Sequence, residues 1–390
     1  MISVPHSFEN RNNSPVLVTG IGMITALGLN RPQTWQSLLA GNSAIALNSQ
    51  YQLPLAQIAR LVPEQIARVE FWLHQATGEA IADAGLELPL PHCGLVIGSS
   101  RGYQAELEQI LSKKLPLSQF ERHWPGGLSR AIASYIKTQA PVLAPMAACA
   151  TGNWAIAQAY ELIQLAKCEM VLVGASDAVL TPLGIAGFKQ MGALATTGLY
   201  PFSQEREGLV LGEGAAALLL ESESSWRSRH CPRVYGQVLG FGITNDADHF
   251  TNPSLAGAAQ AVRLCLQAAQ LEPEQIDLIS THGTGTKLND QNEANLIAQI
   301  FSTSSPRAIA TKGATGHLLG ATALLEAAFC LCSLAEQQIP PGVGVKTLAF
   351  PIALTKGLIG PAQPIHNALN FSFGFGGQNA IVALGRYVPG

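Results

Sequence analysis

PVLAPMAACATGNWAIAQAYELIQLA, residues 141–166, is the stretch whose reading sets the fold class. It opens as a short apolar strand. From Trp154 onward, Ile156, Ala157, Tyr160, Ile163 and Leu165 recur at helical spacing. Cys149 falls at the junction, among Ala147, Ala148 and Ala150 and just before Thr151, Gly152 and Asn153. The free N–H groups and dipole of a helix start favour a thiolate over a thiol there. Small neighbours leave room for a substrate to reach the sulfur. A cysteine so placed also suits a plain buried role, and the rest of the chain decides between the two.

Working outward, CEMVLVGASDA (168–178) reads as a second strand, which completes a β-α-β unit with parallel pairing. PVLVTGIGMITALG (15–28) reads as a buried strand followed by a glycine-rich turn. Gly20 and Gly22 suggest a dinucleotide fingerprint, but Thr25 holds the third glycine position and no acidic residue follows about twenty residues on. Residues 64–84 read as a helix, 94–100 as a strand and 124–138 as a helix entered through Pro125-Gly126-Gly127. Gly98-Ser99-Ser100-Arg101-Gly102 fits the G-x-S-x-G nucleophile elbow. Arg101 would crowd such an elbow, and the charged run behind it is wrong for a central helix; a strand-ending turn is the better reading.

The second half repeats this grammar. VYGQVLGFGIT (234–244) echoes VLVTGIGMIT, and AIATKGATGHLLGATALLEAAFCL (308–331) echoes the strand–loop–helix plan around Cys149. FSFGFGGQNAIVALG (371–385) echoes GLVLGEGAAALLLE. The expectation is an α/β chain of two similar halves, with central helices buried between sheets. A loose tail at 1–14 precedes an N-terminal half at 15–228 and a C-terminal half at 229–390.

Composition agrees with a layered core. Of 390 residues, 47% are hydrophobic and only 13% charged, so many elements must be buried on most sides. A net charge of −3 gives no reason to expect nucleic acid or an anionic membrane as partner. The seven cysteines are scattered without C-x-x-C or zinc spacing, which argues against a disulfide framework and a structural metal. Residues 318–335 include Gly320, Thr322, Glu326 and Ser333, and read as a buried core helix instead of a membrane span. No signal peptide is recognisable at the start, and a cytoplasmic location is expected.

Three motifs of the second half carry chemistry. Ser280-Thr281-His282-Gly283-Thr284-Gly285-Thr286 follows the strand IDLIS and ends near Asp290, which places His282 like a catalytic group. Thr311-Lys312-Gly313-Ala314-Thr315-Gly316-His317 opens the buried helix. Phe373-Gly374-Phe375-Gly376-Gly377-Gln378-Asn379 has glycines that let backbone N–H groups face a ligand. Each histidine alone could be a satisfied core residue. Glu326, an isolated carboxylate in a nearly apolar helix, needs a partner, and Lys312 is the natural one. A thiol nucleophile, two histidines, a lysine and a glycine-rich loop point to acyl transfer.

These motifs, in this order, resemble the β-ketoacyl-acyl-carrier-protein synthases of the thiolase superfamily: Cys149 in AACATG, His282 in THGTGT, Lys312 and His317 in TKGATGH, and SFGFGGQN. PFSQEREGLVLGEGAA and TPLGIAGF extend the likeness over most of residues 15–388. The chain is most similar to the type II elongating enzymes. It is unlike the type III starter enzymes, which use Cys, His and Asn, and unlike thiolases, which pair two cysteines with a histidine. The resemblance implies a thiolase-like fold, five layers α-β-α-β-α from two pseudo-duplicated halves with mixed sheets. It implies that Cys149 carries the acyl chain, that His282 and His317 stabilise an enolate, and that Lys312 with Glu326 and Asp290 supports the site. Phe375, Gly376, Gly377 and Asn379 would form the oxyanion and gating loop, with the oxyanion between the N–H groups of Cys149 and Phe375. Thr284 and Thr286 would hold the phosphopantetheine arm, and Asp246, His249 and Thr251 belong to a second gating loop. Acyl carrier protein, with its malonyl and acyl forms as substrates, is the implied partner of a homodimer, and no metal or other cofactor is implied.

Some positions depart from that pattern. Ser203 replaces an aspartate, Asp248 an aromatic, Asn289 a glycine and Gly313 a serine. Phe250 is bulkier than usual, and the segment from 102 to 141 is short. Two alternatives follow from different readings: a non-catalytic partner like a chain-length factor, which usually lacks the cysteine, and a serine hydrolase using Ser100.

Overall fold

The computed structural model describes residues 14–389 except 60, 61, 64, 65, 231, 232, 359 and 361–363. The expected tail before residue 14, the start of the helix read from residue 64, and Cys231 lie outside the described residues. Among the described residues, ten strands form the main sheet: β1 (Val16–Ile24), β2 (Gly94–Gly98), β3 (Val142–Leu143), β4 (Met170–Asp177), β5 (Gly214–Ser222), β6 (Gly236–Asn245), β7 (Leu278–Ser280), β8 (Arg307–Ile309), β9 (Asn367–Gly374) and β10 (Gln378–Gly385). A small separate hairpin joins Ala46–Asn48 to Leu53–Leu55.

From the middle outward, the first half runs β1-β5-β4-β2-β3 and the second β6-β10-β9-β7-β8. The two orders are the same. So are the pairing directions: antiparallel, antiparallel, parallel, parallel in each half. β1 and β6 join the halves antiparallel through Val16–Val238, Leu17–Gln237 and Val18–Gly236. The faint echo in the sequence is therefore a duplicated mixed-sheet topology.

The helices complete the layers. α1 (Arg68–Asp83) packs outside the first half, on β1, β5 and β4. α3 (Leu255–Ala269) packs outside the second, on β6 and β10, with α4 (Lys287–Ile300) against it. Between the two half-sheets lie α2 (Thr151–Gln164) and α5 (Thr322–Glu336), in contact with each other. This is the five-layered α-β-α-β-α arrangement. The largest apolar cluster sits at its centre, joining Ala155, Ile156 and Ile163 of α2 to Leu324, Leu325 and Phe329 of α5. Every residue of α5 from Thr322 to Leu334 is buried, which makes it a core helix.

Gly20 and Gly22 do not form the turn that the sequence suggested; they lie inside β1. A Cβ there would come within 2.1 Å of Ala80 O and 2.0 Å of Ala76 O on α1. In the second half, a Cβ at Gly242 of β6 would stand 1.9 Å from Ala261 O on α3. Glycines in each opening strand let an outer helix rest on bare backbone. That packing need produces the echo between VTGIG and LGFGI.

Candidate active site

Both central helices begin at the same place in the fold. A Cβ at Gly152, second residue of α2, would lie 2.2 Å from the backbone nitrogen of Leu324 in the first turn of α5. The residues ahead of the two helices therefore meet.

Cys149 stands two residues before α2. Ala148 is held at φ +48°, in the left-handed region, so the chain turns sharply into the nucleophile position. The turn is clamped: Ala147 N–H donates to Thr151 Oγ1 (2.9 Å), and the Thr151 hydroxyl donates to Ala148 O (2.6 Å). The Ser372 hydroxyl donates to Cys149 O (3.0 Å), and Gly374 passes so close that a Cβ would sit 3.1 Å from Cys149 N. A glycine here lets the Phe375 loop lie against the nucleophile.

His317 comes from the break between a short helix, Lys312–Thr315, and α5. Its Nε2 lies 3.2 Å from Cys149 Sγ, and its Nδ1 lies 2.9 Å from Thr322 Oγ1. His282 follows β7, with its ring 5.4 Å from that of His317, edge-on. One ligating atom from each of Cys149, His282 and His317 falls within 4.8 Å of the others, and among the described residues this is the one such cluster that could hold a metal ion. His282 Nδ1 has no hydrogen-bond partner among the described residues.

Burial decides the charge states. It pushes the Cys149 thiol up to about 12; the Lys312 charge opposes this, Asp177 adds to it and Arg101 opposes it. The sequence suggested a thiolate, and the structure corrects this. The sulfur is enclosed, and desolvation outweighs the nearby positive charge. Burial and then Lys312 hold His317 well below the ordinary histidine range, and the same causes with His317 added act on His282. The contact between Sγ and Nε2 takes its direction from the imidazole tautomer: with Nε2 bare, the thiol donates to it.

Lys312 and Glu326 pair as expected, with Nζ 2.9 Å from each carboxylate oxygen and the Thr311 hydroxyl also donating to Glu326 (2.9 Å). Burial pushes Glu326 up and the Lys312 charge pulls it back. Asp290 braces two loops, accepting from Phe202 N–H (2.7 Å) and Gly285 N–H (3.1 Å), and burial raises it to about 6. The hydroxyls of Thr284 and Thr286 lie 2.9 Å apart and line the cavity.

That cavity, of about 410 Å³, also takes in Cys149, His282, His317, Asp246, Thr251, Phe375, Gly377 and Asn379. Phe375 stands between Phe188 and Phe250, at 6.5 and 6.0 Å between ring centres. The two loops proposed as gates are tied together. Gly376 N–H donates to Phe250 O (2.8 Å), Asp246 N–H to Gly377 O (2.9 Å) and the Asn379 amide to Asp246 Oδ1 (2.6 Å). His249 does not reach the cavity wall. It turns onto its own loop, with Nδ1 accepting from Thr251 N–H (3.1 Å) and Asn252 N–H (3.2 Å). Gly376 also lies off the wall, its N–H being spent on Phe250.

Several departures have local reasons. A Cβ at Gly313 would lie 1.9 Å from Val343 O, so glycine is required there. Ser203 is buried and accepts from Lys346 N–H (2.9 Å), and the Asn289 amide reaches Asp290 and Glu293, both at 3.3 Å. Asp248 is exposed on its loop.

Sequence reasoning missed four residues. Thr322 holds His317. Glu293 accepts His282 N–H (2.6 Å) and Gly283 N–H (2.8 Å), and burial raises it to about 8. Its position three residues after Asp290 on one helix face was a usable signal. Phe188 flanks Phe375. Asp177, at the end of β4, accepts from the hydroxyls of Ser99 (2.7 Å) and Ser100 (2.8 Å) and from the N–H groups of Arg101 (3.0 Å) and Gly320 (2.8 Å). The Ser100 hydroxyl is thus bound to a carboxylate, and the G-x-S-x-G match is a turn around Asp177.

Comparison with known proteins shows the family of the chain. Residues 54–225 match the family model "Beta-ketoacyl synthase, N-terminal domain" and residues 235–346 the corresponding C-terminal domain. The 3-oxoacyl-[acyl-carrier-protein] synthase 2 of Mycobacterium tuberculosis (strain H37Rv) is 31% identical, with 95% of this chain and 97% of that protein covered. The protein of the same name from Mycobacterium leprae (strain TN) is 30% identical, covering 99% and 100%. Among solved structures, the ishigamide ketosynthase/chain length factor superposes with a TM-score of 0.88 at 29% identity, covering 97% and 100%. The ketosynthase ApeO in complex with its chain length factor ApeC, from Xenorhabdus doucetiae, gives 0.83 at 27%, covering 99% and 100%. With the paired domains, near-complete coverage by relatives and a Cys–His–His cluster between duplicated halves, the chain belongs to the β-ketoacyl synthase family of acyltransferases.

Proposed function

We propose that this chain is an elongating 3-oxoacyl-[acyl-carrier-protein] synthase, joining malonyl-carrier protein to an acyl chain held on Cys149, in fatty acid or related polyketide or glycolipid synthesis. The observation that carries this reading is the 3.2 Å contact between Cys149 Sγ and His317 Nε2, with His282 on the same cavity.

The resting charge states set the order of events. His317 Nε2 accepts the Cys149 proton as the sulfur attacks the thioester carbonyl carbon of the acyl carrier. The C–S bond to the carrier breaks, and its thiol leaves with a proton, so Cys149 holds the acyl chain. N–H groups of Cys149 and Phe375 receive the charge that builds on the carbonyl oxygen. In the second stage the malonyl carboxylate leaves as CO2 and its bonding pair becomes an enolate. Neutral His282 and His317 donate hydrogen bonds to that enolate oxygen. The enolate carbon then attacks the Cys149 thioester, and the sulfur leaves and takes up one proton from water. Burial, and then the Lys312 charge, keep both histidines uncharged, so that they donate hydrogen bonds to the enolate without protonating it. The carrier's thioester activates both carbons, so the chemistry calls for no metal or redox cofactor.

Thr284 and Thr286 line the entry and suit a pantetheine arm; Phe375 suits a gate. A homodimer fits the exposed apolar edge at β3, where Val142 and Met146 are 39% and 74% exposed. The work is assigned to the cytoplasm. Intact-mass analysis after incubation with acyl-carrier protein tests the reading: one acyl adduct on the native chain, none on Cys149→Ala, and 3-oxoacyl product only from the native chain. An unacylated native chain would favour a partner of the chain-length-factor kind.

A further inference from the structure

His317 faces two demands that no single tautomer meets. To receive the thiol proton, Nε2 must be bare, so the ring proton sits on Nδ1. To donate to an enolate, Nε2 must carry the proton, so Nδ1 must be bare. The ring is 1% exposed, and an unpartnered nitrogen in either form would be left without a bond.

Nδ1 faces Thr322 Oγ1 at 2.9 Å, and Thr322 is itself 1% exposed, at the first position of α5. A hydroxyl both donates and accepts. A backbone N–H or a carbonyl at that place would fix one tautomer; Thr322 permits both. We propose that Thr322 is a positioning residue whose hydroxyl serves both tautomers of His317, accepting from Nδ1–H while the thiol is deprotonated and donating to bare Nδ1 while Nε2–H binds the enolate.

The exchange balances during acylation: Nε2 keeps the proton of the Cys149 thiol, Nδ1 gives its proton to the Thr322 hydroxyl, the hydroxyl releases its own to water, and that proton goes to the departing carrier thiolate. The geometry favours a hydroxyl specifically. Val would fill the same space without an oxygen, and Ser would restore the oxygen without the methyl. His282 provides the contrast, since its Nδ1 has no partner among the described residues and it stands in no equivalent contact with the thiol.

The inference rests on the ketosynthase reading, and the two can fail separately. In ¹⁵N-histidine NMR, native enzyme should show His317 protonated at Nδ1 when Cys149 is free and at Nε2 once Cys149 is acylated. Thr322→Val should lower kcat for condensation about tenfold, the cost of one lost buried hydrogen bond, with KM for malonyl-carrier protein within about twofold. Thr322→Ser should return kcat to within about twofold of native. One tautomer in both states, or a Thr322→Val enzyme condensing at the native rate, would overturn the proposal. The NMR comparison needs only native protein, so it decides the matter even where the valine variant does not fold. A native chain that takes no acyl group would instead remove the ketosynthase reading itself.

Discussion

The loops that leave β2 and β7 hold equivalent places in the two halves, and each is strung on a buried carboxylate. Asp177 gathers the Ser100 and Arg101 N–H groups in the first half; Glu293 gathers those of His282 and Gly283 in the second. The carboxylates have different origins, one at the end of β4 and the other on α4. Only the second loop shows a base to the cavity. The device that fixes the loop is thus independent of the chemistry mounted on it, and the first half displays that device with no histidine attached. Consecutive N–H groups that converge on a buried carboxyl hold a loop in place without a counter-cation. Among the described residues Asp177 forms no salt bridge, and hydrogen bonds from Ser99, Ser100 and Arg101 oppose the cost of its burial.

The comparison can be broken at either carboxylate. Glu293→Gln turns an amide NH₂ toward a backbone N–H, so the His282 loop should shift. Condensation should fall about thirtyfold while acyl-adduct formation on Cys149 stays within a few-fold, since only the second stage requires His282. Equal loss of both stages would show that the two loops do not act separately.

Asp177→Asn should cost about tenfold in turnover, through the Gly320 bond that steadies the turn after His317. It also removes a negative charge that raises the Cys149 thiol. The alkylation profile of Cys149 with iodoacetamide should therefore move to lower pH. In native enzyme, alkylation should climb steadily with pH and reach no plateau by about pH 9, because the thiol titrates near 12. A native plateau near neutral pH would restore the thiolate that the sequence suggested. Smallest of all, Ser100→Ala should leave turnover within about twofold, since five other bonds to Asp177 remain and the hydroxyl is no nucleophile.

Much of this was legible in residue order. Cys149, His282 and His317 stand in loops and Lys312 opens a short helix, all with few neighbours of similar chemistry, and Glu326 betrayed its partner because a lone acid in an apolar helix needs one. Topology was legible as an echo, since each half repeats a glycine-bearing strand and a small-residue loop. What could not be read was contact between distant loops. Asp177 ends a strand as many aspartates do, and nothing local says that its carboxylate binds residues 99–101 and Gly320. Thr322 looks like a helix-start threonine until His317 is seen to turn back on it. The protonation of Cys149 was misread for a similar reason: helix position is local, whereas desolvation comes from everything packed around the sulfur.

The approach of Gly152 to the Leu324 nitrogen has a consequence for recombination. Nucleophile and base belong to different halves, and their spacing is set where two backbones touch without an intervening side chain. A chimaera taking its first half from one family member and its second from another inherits a working site only if both parents share that contact. At this crossing, even a methyl group on one parent's helix would push the thiol away from its imidazole.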